Sequence, residues 1–341
     1  MPDPSPSVML WAMYALTTGT LSVGLDSAGY EVLSGIALAL ACAGWLGAVA
    51  HALLLPPRPV PASAPAPAPA PAPASASASV WRKETAAALA WVAATALVGT
   101  GFSAAGLQRP AAALLALAAP LWAVLLVAAG RERHGTVFLR CVATQGLAVL
   151  GATLAAAESA AWLAHAALTL FWLGLVLYCL ALFRFQPRQV AEGAGDHWLP
   201  GGALAVSALA GARLLSADSE RLYLWNDDDH AVLGRVTVTL LVLTAVCCVA
   251  LFTAELFWPR RRYDARRWAT VFSVVGTAAA ALAVAAALDA PWLDALGEAL
   301  LWITVAVWLG CTAWTITSAR AGGRTGRVRS GARRFRSRAR R

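Results

Sequence analysis

The side chains here that can do chemistry in apolar surroundings are a few hydroxyls, one amide and a few guanidiniums. Thr18, Ser22, Thr144, Gln145, Ser207 and Thr277 stand inside long apolar runs. Gly19 and Gly276 leave backbone N–H groups open to close approach. Dipoles of this kind bind an ion weakly and at several points, which lets it move on. The same hydroxyls bond readily to their own helix, so packing is the competing role. No mid-depth Asp or Glu stands in the runs that carry these groups, which disfavours a cation route and proton coupling. His165 reads as a packing residue.

Enzyme chemistry finds no support. It would need paired carboxylates, a His cluster or a nucleophile beside a base, and none is present. Asp227, Asp228, Asp229 and His230 are adjacent and read as a solvated acidic loop or a divalent-cation site, the loop reading being favoured. The six cysteines lie in apolar runs with no CxxC and read as small buried hydrophobes. GTGFSAAG (99–106) misses the G-x-G-x-x-G spacing and lies inside a span. The expectation is no metal and no cofactor.

The chain that must position these groups has 341 residues, is 59% hydrophobic and only 13% charged, about half the charge of a soluble protein. Apolar runs long enough to cross a bilayer recur, and in lipid such runs must be helices. The ~10-residue alternation of a membrane β-barrel is missing. Ten spans are predicted: 8–25, 31–55, 84–106, 110–130, 136–157, 159–184, 198–216, 231–257, 267–288 and 293–318. The leader MPDPSPS has no basic residue, so the first run reads as a retained span and not a signal peptide.

Charge sorts the loops. Odd loops hold Asp26, Glu31, Glu158, Asp218, Glu220, Asp227–Asp229, Asp289, Asp294 and Glu298. Even loops hold Arg58, Arg82, Lys83, Arg131, Arg133, Arg184, Arg188 and the arginines from 260 to 267. The positive-inside rule then places both termini in the cytoplasm, as an even number of spans also requires. Residues 1–318 form one ten-span domain. Within it, 56–80 is a Pro/Ala-rich cytoplasmic linker suited to polyproline II. Residues 319–341 form an Arg-rich tail, expected to anchor on anionic lipids and not on nucleic acid.

The spans alternate in kind. Odd ones are rich in Gly, Thr and Ser, as in TTGTLSVG (17–24) and FSVVGTAAAALA (272–283). Even ones are rich in Leu and Trp, as in LTLFWLGLVLYCLALFRF (168–185). Bulky apolar side chains suit lipid, and small ones let helices approach closely. The expected fold is therefore all-α and polytopic: ten transmembrane helices as five hairpins, with an inner ring of odd helices around a pore. Tight packing of small residues without a pore is the alternative.

Four motifs, in order, carry a family likeness. TTGTLS (17–22) resembles an ATGIVS-type first-helix motif, and VATQGLAVLGATLA (142–155) resembles a fifth-helix segment. DHWLPGGALAVSALAGA (196–212) resembles a seventh-helix GALAIS-LAGA motif, and RWATVF (267–272) a ninth-helix W-x-x-x-F motif. The chain, from about residue 8 to 318, resembles the tellurite-resistance/C4-dicarboxylate transporter family. That family includes TehA, the plant slow anion channels and fungal malate and sulfite exporters. The resemblance implies pseudo-five-fold symmetry, a homotrimer with one pore per protomer in the cell inner (plasma) membrane, and cargo such as chloride, nitrate, sulfite, tellurite or malate. It also matches Phe272 to a phenylalanine that plugs the pore, with small residues beyond it giving the ring clearance. A core Phe is the competing reading. The family's Pro after that Phe is Ser273 here, which alters the bend at the gate.

Arg213, near the outer end of span seven, is a candidate vestibule cation, or pairs with Asp218 or Glu220. Arg140, at the inner end of span five, is a second, or reaches lipid headgroups. Glu255 reads as a structural partner of the nearby arginines. A non-transporting membrane scaffold that docks partners through the linker and tail is the reading from another class.

Overall fold

The computed structural model describes residues 8–54, 74–128, 135–185, 196–217, 227–257 and 267–338. Among these, ten helices are long and apolar enough to cross a membrane, and none of the residues is in a strand. They are α1 (Val8–Ser27), α2 (Glu31–Leu54), α3 (Ala74–Ala104), α4 (Gln108–Ala128), α5 (Leu139–Glu158), α6 (Ala161–Arg184), α7 (Leu199–Ala217), α8 (Asp227–Phe257), α9 (Trp268–Ala287) and α10 (Pro291–Arg338). Single 3₁₀ turns, Gly135–Phe138 and Asp196–Trp198, lead into α5 and α7. The protein is a multi-pass membrane protein.

Three boundaries differ from expectation. α3 starts at Ala74, so the last part of the predicted linker is helical. Proline ends at Pro73, and the Ala/Ser run after it has nothing to break a helix. α8 starts at Asp227, so the acidic triplet falls in the first turn of a helix and not in a loop. α10 runs unbroken to Arg338 through a tail without proline. The rest of the linker, Asp218, Glu220 and the arginines from 260 to 266 lie outside the described residues.

Order of packing makes the architecture. α1 packs on α3, α3 on α5, α5 on α7, α7 on α9, and α9 back on α1, so the odd helices close a five-membered ring. Each even helix packs on its own odd partner and also touches the next odd helix. The odd spans are 72–89% buried and the even ones 11–33%, so the even set is the outer layer. Small residues set the ring's tightness. A Cβ on Gly276 of α9 would come within 3.0 Å of the Ala205 Cβ of α7, and one on Gly24 of α1 within 3.3 Å of the Ala279 Cβ of α9.

Indole N–H groups bolt the outer layer to the ring. Trp45 of α2 donates to Thr95 of α3 (2.7 Å), and Trp122 of α4 donates to Thr144 of α5 (2.8 Å). Trp308 of α10 donates to Thr18 of α1 (3.0 Å). In all three the tryptophan reaches the inner helix that follows its own hairpin. Thr95 and Thr144 pass their own protons to the carbonyls of Trp91 and Arg140, both at 2.8 Å. Trp122→Phe keeps an aromatic ring at the site, with less area, and removes the donor. We expect it to lower stability by about 1 kcal/mol, the scale of interhelical bonds in membranes. Thermal unfolding in detergent measures this, and an unchanged midpoint would remove the bolt from the account. At the hairpin end, Tyr30 donates to Glu298 of α10, and this bond raises the pKa of the Tyr30 phenol.

Candidate functional site

Phe272 is completely buried, one turn into α9. Its direction follows from its neighbours. Gly276, about 40° around the helix from it, packs on α7, while Ala279, about 20° to the other side, packs on α1. α7 and α1 are the two ring neighbours of α9. The face between them looks at the ring's centre, and Phe272 stands on that face. Its ring lies directly over Gly202 of α7, where a Cβ would overlap the Cδ1 and Cε1 atoms. A ring of this size needs glycine there to sit so close to the α7 backbone.

The predicted contact residues divide. Gly19 packs on Leu97 and Val98 of α3, and Gly276 on Ala205 of α7, so both are approach points between ring helices. Three hydroxyls are turned to the outer layer instead of the centre. Thr18 is held by Trp308 and Thr144 by Trp122. Ser22 donates to the Ser34 carbonyl of α2 at 3.0 Å. Thr277 lies 3.2 Å from the Cys248 sulfur of α8 and donates to the Ser273 carbonyl. Ser207 donates to the Ala203 carbonyl and stands 3.9 Å from Cys141. Gln145 points at α6, where its Nε2 donates to the Phe171 carbonyl at 3.0 Å against Gly174. For Thr18, Ser22, Thr144, Gln145 and Thr277 the physical reason is shared, whereas Ser207 meets Cys141 of the inner helix α5. The outer helices offer donors, acceptors and notches that the sequence of an odd helix alone does not reveal.

Hydroxyls that face the centre are others. Thr20 lies on the face of α1 between Gly19, which packs on α3, and Gly24, which packs on α9. Thr100 lies on the face of α3 between Ala96, which meets Gly146 of α5, and Leu97, which meets Gly19 of α1. Both are fully buried and bond back to the carbonyls of Leu16 and Ala96. Helical phase relative to the approach glycines is the signal that identifies them.

Arg213 is near the end of α7, and its Nη2 donates to Ser27 Oγ of α1 at 3.1 Å. α7 and α1 are not neighbours in the ring, so this bond crosses it. Arg140 stands one turn before Thr144, on the face turned to α4. Glu255 and Arg267 approach to 4.0 Å, and Arg267 also caps the Trp314 ring at 5.1 Å. His165 and Cys179 are exposed on α6 and not packed as expected, because an outer helix turns half its surface to the surroundings. Among the described residues no group of three His, Cys, Asp or Glu stands close enough to hold a metal ion.

Comparison with curated proteins finds no match. Comparison with known families matches residues 74–316 to the model described as voltage-dependent anion channel. The match covers most of the ring of odd helices and includes the segment that carries Phe272. The chain therefore belongs to the voltage-dependent anion channel family, whose members carry anions across membranes.

Proposed function

We propose that this protein passes small anions along the axis of its inner ring and that Phe272 is the gate. The observation that carries the reading is the placement of one fully buried aromatic ring between the two packing faces of α9, seated in the Gly202 notch of α7. A hydrated anion cannot pass such a constriction without shedding water, and apolar constrictions close by dewetting. No Asp or Glu stands at mid-depth in the odd helices, so an anion meets no fixed negative charge there. The cargo class is small inorganic anions such as chloride, nitrate, sulfite or tellurite, or a dicarboxylate such as malate. Thr20 and Thr100 are inward polar groups whose protons are held by the carbonyls of Leu16 and Ala96. Arg213 serves the vestibule at the hairpin end, and Arg140, on the face of α5 turned to α4, is left outside the pore.

In this reading the linker ends of the helices and both termini face the cytoplasm, where the arginines concentrate. The chain sits in the plasma membrane as a homotrimer. Residues 1–318 are the transport domain, and the Arg-rich extension of α10 lies on anionic lipid.

Purified protein in liposomes tests this. Chloride, nitrate, sulfite and malate efflux is expected from Phe272→Ala, with no potassium efflux beyond that of empty vesicles. Malate efflux that runs only under a proton gradient would favour a coupled organic-acid exporter. Absence of flux from any variant, with the protein folded, would overturn the transport reading in favour of a scaffold.

A further inference from the structure

Arg213 carries an observation that gating by Phe272 does not use. Its guanidinium reaches across the ring to Ser27, and Asp26, one residue before Ser27, is its electrostatic neighbour. Ser27 Oγ gives its own proton to the Val23 carbonyl at 2.9 Å, so it is a pure acceptor toward Arg213. The Nε atom of Arg213 is shielded from solvent and has no hydrogen-bond partner among the described residues. A buried donor on a charged group, left unmatched, is costly, and the acceptor that best relieves it also carries negative charge.

Location sharpens this. Arg213 lies eleven residues beyond Gly202 on α7, which is about 16 Å of helix rise from the level of Phe272. Thr20 and Thr100, the inward hydroxyls, also lie in the hairpin-end halves of their helices. The ring is therefore aromatic toward the linker end and hydroxyl-lined, with one cation across it, toward the hairpin end.

We propose that Arg213 forms an anion-binding station across the hairpin-end mouth of the ring. Ser27 tethers one arm of the guanidinium, and the spare Nε–H takes a small monovalent oxyanion or halide. Asp26 keeps the station weak by sharing the cation, so a bound anion is released readily. This deepens the anion-passage reading and rests on it for its role, but the binding site can be tested separately.

The probe is sodium nitrate against sodium gluconate at equal ionic strength, read by thermal unfolding of the detergent-solubilised protein. Nitrate is expected to raise the midpoint saturably, since a ligand of the folded state stabilises it. Arg213→Gln is expected to weaken the apparent nitrate affinity about tenfold or more, in line with loss of a charge-assisted bond. Arg213→Lys keeps the charge without the planar fork and is expected to fall between the two. It carries the test should the glutamine variant fail to assemble. Equal nitrate stabilisation in the parent and both variants, or none in the parent, would overturn the station. Flux through Phe272→Ala without nitrate stabilisation would sink the station and leave the pore. Nitrate stabilisation lost on Arg213→Gln, with no flux from any variant, would keep the station and sink the pore.

Discussion

Phe272→Ala is expected to raise chloride efflux from liposomes by about tenfold or more, equivalent to ~1.4 kcal/mol or more off the barrier to passage. The side chain that goes is fully buried and stands between the faces of α9 that pack on α7 and α1. The small residues that follow it, Gly276 and Ala279, are committed to contacts with α7 and α1, so neither replaces the ring. The competing reading makes a different forecast. A phenylalanine that only fills a core leaves a cavity on truncation and costs about 3–5 kcal/mol of stability with no gain in flux. A gate residue borders a conduit, so its removal costs less stability and opens a path. Efflux and unfolding measured on one preparation separate the two. A large fall in midpoint with silent vesicles would return Phe272 to the core.

Gly202→Ala is expected to act on the same ring from the opposite side. A Cβ at position 202 would overlap two atoms of the Phe272 ring, so one of them must move. The ring is the mobile partner, because it turns on its own torsions while the α7 backbone is held by its neighbours. Overpacking of this kind costs about 1–3 kcal/mol. Loss of the seat is expected to raise efflux above the parent level but below that of Phe272→Ala. The sharper test is the double variant. With the ring absent, the three atoms nearest to an alanine Cβ at 202 are gone, so Gly202→Ala should change neither flux nor midpoint in the Phe272→Ala background. Additive effects would mean that the two residues are not coupled, and the notch would lose its part in gating.

Much of this protein is legible along the chain because lipid imposes simple rules. A segment that spans the bilayer must be a helix, whatever its neighbours do. Ten spans, their alternation of small and bulky residues and the consequent inner and outer layers follow from composition alone. The structure shows the same ten helices and a closed ring of the odd ones. Phe272 stands out along the chain as the large residue at the head of a small-residue stretch with a matching motif, and its role as a gate is part of the proposal.

Rotation of each helix about its own axis was not visible. α1 is buried on nearly every side, so no polar stripe marks its inward face. Thr18, Ser22 and Thr144 resemble pore residues by type, yet partners on the outer helices claim their hydroxyls. One of those partners, Trp308, is 290 positions away from Thr18. The same packing turns Thr20 and Thr100 inward and carries Arg213 across to Ser27. Segment hydropathy is a local property, so the sequence by itself determined the spans and their two layers. Helix phase is set by long-range contacts between notches, indoles and hydroxyls, so only the tertiary structure decided which side chains meet at the axis.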